Sequence, residues 1–221
     1  MTGPAPSAAP PLPARAALAD LFALDLRSLA LLRVGLALLL LGDLALRAGD
    51  LRAHYTDAGV LPRSALPPAG TLSLHLLGGS AAFQGALFAV AAAFAAALLV
   101  GWRTPLATAG SWFLLVSLHA RNPVVLQGGD ILLRVLLFWS LFLPLGARWS
   151  LDALRRAGPP PGNRLVCGGG IALLLQVCFV YWFSVALKSD PCWRADGTPI
   201  GVGGGLARPG VRFRPEAAPS R

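Results

Sequence analysis

Charge is scarce in this sequence. Asp, Glu, Lys and Arg make up 13% of its 221 residues, against about 25% in a typical soluble domain. That shortage argues against an ordinary cytosolic domain. Cysteine is rare as well: three in the whole chain exclude a disulfide scaffold. Lysine is almost missing, since of 19 basic residues only Lys188 is not Arg. Asparagine occurs at 122 and 163 alone. With Ala and Gly plentiful, this bias reads as GC-rich coding, and it makes the single Lys stand out.

What fills the space is apolar. Hydrophobic residues are 55% of the chain and the mean hydropathy is +0.63. They come in blocks near the length that spans a bilayer, roughly 20 residues. The blocks are Ser28–Leu46, Ala81–Gly101, Leu106–Ala120, Ile131–Gly146 and Leu165–Lys188. Blocks one, two and five are long enough outright. Blocks three and four are short and must recruit flanking residues, thin the bilayer or pack inside the bundle. The expectation is an all-α integral membrane bundle of about five transmembrane helices.

The remaining composition fits that class. The net charge of +9 suggests nucleic acid only if the basic residues form a stripe, and here they are scattered between apolar blocks. No nucleic-acid partner is expected; the expected partner is the lipid bilayer. Residues 1–17 are Pro/Ala-rich without helical period and lack the basic and apolar regions of a signal peptide. They read as a disordered leader, placed at 1–21 when the transmembrane domain is taken as 22–198. The stretch 199–221 is rich in Gly, Pro and Arg and reads as a disordered tail.

Arginine placement gives a topology. With the N-terminus inside, the inner segments hold Arg15, Arg27, Arg103 and the dense cluster Arg148, Arg155, Arg156 and Arg164. Positive loops stay cytoplasmic, so a cell-membrane protein with a cytoplasmic N-terminus is expected. Trp149 and Trp193 fall at helix ends. Asp43, Tyr55, Asp57, Asn122, Asp130, Arg134 and Lys188, although from four segments, then all lie toward the outer leaflet and are expected to converge.

Each of these has a plain reading beside a functional one. Lys188 ends the fifth block; it is either an interfacial lysine with its head in water or a base, because Lys loses its proton when desolvated and Arg does not. Asp190 nearby would oppose that loss. Asp130 and Arg134 form an i,i+4 pair; Asp130 is either an N-cap that satisfies Arg134 or part of a polar site at the membrane edge. Asp43 and Arg47 make a second such pair, and Arg33 is placed to snorkel at the inner end. Asn122 is a turn residue before Pro123 or a site residue. His54, Tyr55, Asp57 and Gly59 suit an ordered turn as well as a site.

Other chemistries lack their signatures. Cys167, Cys178 and Cys192 have no CxxC spacing, and Cys167 and Cys178 fall on one face of a helix, which suits packing. His54, His75 and His119 have no metal-ligand spacing. The runs GGGI and VGGGL lack the strand, helix and Lys of a phosphate loop. No metal site is expected.

Three ordered motifs carry a family resemblance: RVGLALLLLGDL with HYTDAGVLPR, then LHARNPVVLQGGDILLRVLLFWSLFLPLGARWSLD, then LLQVCFVYWFSVALKSDPCWRADGT. Over about Phe22–Thr198 the chain resembles the horizontally transferred transmembrane (HTTM) domain, which is similar to the membrane part of vitamin K-dependent gamma-glutamyl carboxylases. In those enzymes a lysine five residues before a Trp activates reduced vitamin K, and Lys188 and Trp193 match that spacing. The resemblance implies a quinol-dependent oxygenation that generates a strong base for carboxylation. Lys188 is the implied catalytic base; Tyr55, Asp57, Asn122, Asp130, Arg134 and Trp193 are the implied substrate- or quinone-binding residues; a reduced, vitamin K-like quinone is the implied cofactor. The carboxylases have a functional His after the loop Asn, whereas here Pro123 follows Asn122 and His119 precedes it. The family also continues into further membrane helices, so the chain reads as cut short after Thr198. The alternative is a non-catalytic membrane subunit or lipid-binding helical bundle.

Overall fold

A computed structural model describes residues 21–66, 73–158 and 162–188. The expectations for the leader, for Asp190, Cys192 and Trp193 and for the tail lie outside the described residues. The chain divides into two compact units between Leu174 and Leu175.

The first unit opens with a two-residue strand, β1 (Leu24–Asp25), and the long helix α1 (Leu26–Gly49). Asp25 caps α1 by accepting the Arg27 backbone N–H at 2.7 Å. A short helix α2 (Leu51–Tyr55) follows after Asp50, then two 3-10 turns at Arg63–Ala65 and Leu74–Leu76. Ser80 caps α3 (Ala81–Val100), its hydroxyl accepting the Phe83 N–H at 3.2 Å. Gly101 ends α3 in the left-handed region, φ +70, where only glycine sits without strain. A Cβ there would also collide with the Ser150 side chain.

The reversal from α3 to α4 (Thr104–Arg121) is two residues long beyond that glycine. Asp152 caps α4 from a distant segment: its carboxylate accepts the N–H groups of Arg103 (2.8 Å) and Thr104 (2.7 Å) and the Thr104 hydroxyl (2.7 Å). Gly110 of α4 packs where a Cβ would meet the Phe94 ring of α3, so a small residue lets the two helices approach. Asn122 starts a 3-10 turn at Pro123–Val125, which leads to α5 (Gly128–Ser140). A four-residue helix, α6 (Leu151–Leu154), and the strand β2 (Arg164–Leu165) follow; β2 pairs antiparallel with β1, Leu24 opposite Leu165. The helix α7 (Gly168–Leu187) begins in the first unit and forms the described part of the second.

The main core joins four helices through Leu36, Ala37 and Leu40 of α1, Ala95 and Leu98 of α3, Ala107 and Leu115 of α4, and Leu137 of α5. A second cluster gathers Leu26 and Leu29 with Leu143, Leu145, Ala147 and Leu173. A third, of Leu44, Tyr55, Phe88 and Leu118, lies beneath α2.

Each apolar block contains a helix, but three are long and apolar enough to cross a membrane: α1, α3 and α7, with mean hydropathies of 2.2, 2.2 and 2.1. At 1.5 Å per residue these reach about 30–36 Å, enough for a hydrocarbon core of about 30 Å. Helix α4 has the length but carries Thr, Ser, His and Arg, and α5 has only 13 residues. Block four stops at Ser140 rather than Gly146. Pro144 cannot continue a helix, since its ring opposes the carbonyl four residues back and restricts Leu143; tight turns replace it, with Leu143 N–H on Ser140 O and Ala147 N–H on Pro144 O.

Two further expectations are corrected. Cys167 and Cys178 do not share a helix: Cys167 precedes α7, and its sulfur accepts the Gly170 N–H at 3.4 Å. Arg33 does not snorkel. It is 1% exposed, and its guanidinium donates to the carbonyls of Leu98 (2.7 Å), Leu99 (2.5 Å) and Trp149 (2.6 Å). The last turn of α3 leaves carbonyls without helical partners, and a buried cation satisfies them better than lipid would.

Candidate functional site

A polar cluster sits at the end of the first unit where α1 finishes and α5 begins. Arg47, in the last turn of α1, is its hub. Its Nε donates to both carboxylate oxygens of Asp43, at 2.7 and 2.8 Å. One terminal nitrogen donates to the Tyr55 hydroxyl at 2.9 Å, and the other to Asp130 Oδ1 at 2.6 Å. Each of the three guanidinium nitrogens thereby donates, to partners on α1, α2 and α5. The side chains of Arg47 and Asp130 are only 13% and 12% exposed, so the group is largely withdrawn from solvent.

Local sequence explains the placement. Asp43 and Arg47 are one helical turn apart. Asp50 breaks the chain direction after Gly49, and α2 turns Tyr55 back beneath α1. Asp130 is not the N-cap of α5 that the sequence suggested. Gln127 takes that position, and Asp130, three residues on, accepts the Gln127 N–H at 2.7 Å, the backward half of a capping box. Its second oxygen is then free for Arg47. The Asp130–Arg134 pairing is accordingly replaced by Asp130–Arg47.

Around this hub lies a cavity of about 360 Å3, lined by Asp43, Arg47, His54, Tyr55, Gln127 and Asp130 with apolar Leu46 and Val125. Burial pushes the Tyr55 phenol upward, against the hydrogen bond from Arg47 that lowers it, so Tyr55 stays a neutral phenol. His119 of α4 lies behind Asp130. It is 2% exposed, its Nε2 is 4.0 Å from Asp130 Oδ1, and neither ring nitrogen has a hydrogen-bond partner.

Asn122 is buried and supports the cavity from outside it. Its amide donates to the His54 carbonyl at 2.9 Å, and its oxygen accepts the Val124 N–H at 3.2 Å, which is the turn role before Pro123. Asp57 belongs to a separate pair, with Arg63 at 2.7 Å and Arg121 at 3.6 Å. Hydrogen bonds from Arg63 hold its carboxyl below the usual range. Arg121 is fully buried and donates to Leu61 O at 2.9 Å. Beside it, His75 and Gln84 form a closed unit. Gln84 donates its amide to His75 O (2.9 Å) and Gly78 O (2.6 Å), so its oxygen faces His75 Nδ1 at 2.6 Å and must accept from it. Burial pushes the His75 imidazole down, against the raising contact from Gln84.

Of the sequence candidates, Asp43, Tyr55 and Asp130 meet directly through Arg47. Asn122 braces the loop behind them, Asp57 anchors a neighbouring loop, and Arg134 lies on α5 within electrostatic reach of His119. Lys188 is in the second unit, exposed, directly after α7, with its backbone N–H on Val185 O at 3.2 Å. Sequence reasoning saw Arg47 only as the partner of Asp43; three-way bridging depends on α2 folding back, which no local spacing reveals. It also missed the buried Arg121. Among the described residues no group of three or more His, Cys, Asp or Glu could hold a metal ion.

Comparison with known proteins adds little. No family model matches this chain, and no solved structure does. The acylase ACY 1 proenzymes of Pseudomonas sp. strains SE83 and V22 are each 73% identical to it over 27 residues. That stretch is 12% of this chain and 5% of each proenzyme, so the chain spans about a twentieth of these relatives. The acylase activity in their names belongs to them.

Proposed function

We propose that this is a multi-pass membrane protein of the HTTM type, crossing the membrane five times with its N-terminus in the cytoplasm. Its proposed activity is a quinol-dependent oxygenation or carboxylation with Lys188 as the base. The observation that carries the ligand-binding part is the Asp43–Arg47–Asp130–Tyr55 cluster lining a cavity at the end of apolar helices. Ionisable groups in such a position are costly and mark sites. A cavity of 360 Å3 lies in the range of small-molecule sites.

The residues fit a reduced quinone headgroup. Asp130 and Tyr55 offer an acceptor and a phenol for its hydroxyl groups, His54 lines the same cavity, and Leu46 and Val125 offer apolar wall. Bound there, the group would supply an oxidisable, ionisable pair of phenols. Arg47 holds negative charge at this spot and Asp130 orients a hydroxyl proton. Lys188 is assigned its role by the sequence motif and by the chemistry of an amine, which works as a base once neutral. Spans three and four in this count are α4 and α5, which use flanking residues to reach across.

Reconstituted protein titrated with a short-chain reduced naphthoquinone tests the reading by tryptophan quenching. Binding weakened by Arg47→Gln and Asp130→Asn supports it; no binding, or binding indifferent to both, rejects it. Quinol oxidation lost in both Lys188→Arg and Lys188→Ala supports the base, because Arg has no accessible neutral form; oxidation retained in Lys188→Arg rejects it. For topology, Arg155→Cys should label only in permeabilised cells.

The second reading is a non-catalytic subunit or lipid-binding bundle. It is favoured by the second unit, where Tyr181, Trp182, Val185 and Leu187 are each more than 70% exposed. A stable copurifying partner, retained when Lys188 is changed, would select it.

A further inference from the structure

The first unit has a second cavity, about 390 Å3, of different character. Arg27, Arg148 and Arg156 line it together with Trp149 and Leu154. They come from three places: the start of α1, the turn after α5, and the segment after α6. The carboxylates next to them are committed elsewhere. Asp25 caps α1, and Asp152 caps α4. Among the described residues neither Arg27 nor Arg156 forms an ion pair. Arg148 donates to Asn163 Oδ1 at 2.7 Å, which holds its guanidinium in place.

The apolar members are unusual for a bare anion site. Trp149 is 60% exposed and Leu154 82%. Trp149 has φ +49, and its carbonyl is held by Arg33, so the indole is presented by a fixed backbone. Cations beside an exposed indole and an exposed leucine match the boundary between headgroups and acyl chains. A free phosphate would use the arginines but not Trp149 or Leu154.

We infer that this cavity binds the phosphate of an anionic phospholipid, with Trp149 and Leu154 against the upper acyl chain. Arg27 and Arg156 supply the charge, and Arg148 a positioned donor. This site is independent of the quinone reading and stands or falls separately.

The test uses the full chain purified in a mild detergent, with thermal stability followed against added phosphatidylglycerol, phosphatidylcholine or inorganic phosphate. Phosphatidylglycerol should stabilise at lower concentration than phosphatidylcholine. The Arg27→Gln/Arg156→Gln pair should bind phosphatidylglycerol about 30-fold more weakly and each single variant about fivefold, from roughly 1 kcal/mol per basic residue at a membrane surface. The single variants decide the matter where the double does not fold. Arg27→Lys/Arg156→Lys should keep most of the affinity, and Arg155→Gln, next door but not lining the cavity, all of it. Wild-type affinity in both single variants overturns the inference, as does equal response to phosphatidylcholine. Inorganic phosphate giving the same variant-sensitive stabilisation would assign the cavity to a free anion and also overturn it.

Discussion

Replacing Arg47 with Met isolates what the polar hub contributes. The substitution keeps a long apolar stem and removes one positive charge and four hydrogen bonds. Two carboxylates remain, their side chains 21% and 12% exposed, with no cation between them. Removing one partner of a buried ion pair costs about 3–5 kcal/mol, most of it the stranded charge rather than the lost bond. At roughly 2–4 °C per kcal/mol for a chain of this size, the midpoint should fall by about 6–20 °C. If stranded charge is the cause, neutralising the carboxylates should undo it. Arg47→Met/Asp43→Asn/Asp130→Asn should therefore be markedly more stable than Arg47→Met alone, a non-additivity expected of residues in one network. Thermal melts in detergent by circular dichroism measure this directly. Equal losses in the single and triple variants would refute the reasoning and leave packing of the arginine stem as the explanation.

Gly101→Ala should cost about 1–2 kcal/mol for the left-handed backbone, with more from the clash at Ser150, read as a lower melting midpoint; an unchanged midpoint would contradict the turn described for Gly101. Asp152→Ala should remove about 0.5–2 kcal/mol as a lost cap and raise hydrogen exchange at Arg103 and Thr104 specifically. His75 is held neutral by burial, its folded value lying below the ordinary 6.5. The unfolded chain therefore takes the proton first as pH drops. Its contribution is complete above about pH 6.5 and is lost as pH falls toward the folded value, with a slope of at most about 1.4 kcal/mol per pH unit. Denaturant midpoints between pH 7 and 5 should decline less steeply in His75→Leu than in the natural chain.

The helices were legible because apolar runs announce them, and their ends because particular residues do. Block two, Ala81–Gly101, matches α3 to within a residue, while block three begins at Leu106, two residues after α4 does. Block four misled because Pro144 lies inside an apolar run whose composition otherwise continues. The cluster was half legible. Asp43 and Arg47 at i,i+4 are a local fact, and Asp130 is visible as an acid at the start of a helix, although as its cap and as the partner of Arg134 rather than of Arg47. Their union is a tertiary fact, produced by the end of α1 lying beside the start of α5 and by α2 reversing Tyr55. Arg33 was misread for the same reason: its acceptors are backbone carbonyls, which no sequence pattern distinguishes.

The grip of Arg33 on Leu98 and Trp149 bears on how the chain is made. The residues that receive its guanidinium follow it by 65 and 116 positions. At about 5–20 residues per second of synthesis, roughly 3–13 s pass before Leu98 exists and about 6–23 s before Trp149 does. If α1, which is long and apolar enough to cross a membrane, inserts as it is synthesised, it does so while this charge has no acceptor, at an insertion cost of about 2.5–3.5 kcal/mol at mid-bilayer and less near the edge. Its run of leucines around the arginine outweighs that cost. For a chain inserted in that order, snorkelling is the posture open to Arg33 until α3 is made, and the carbonyls of Leu98 and Leu99 are what would replace it.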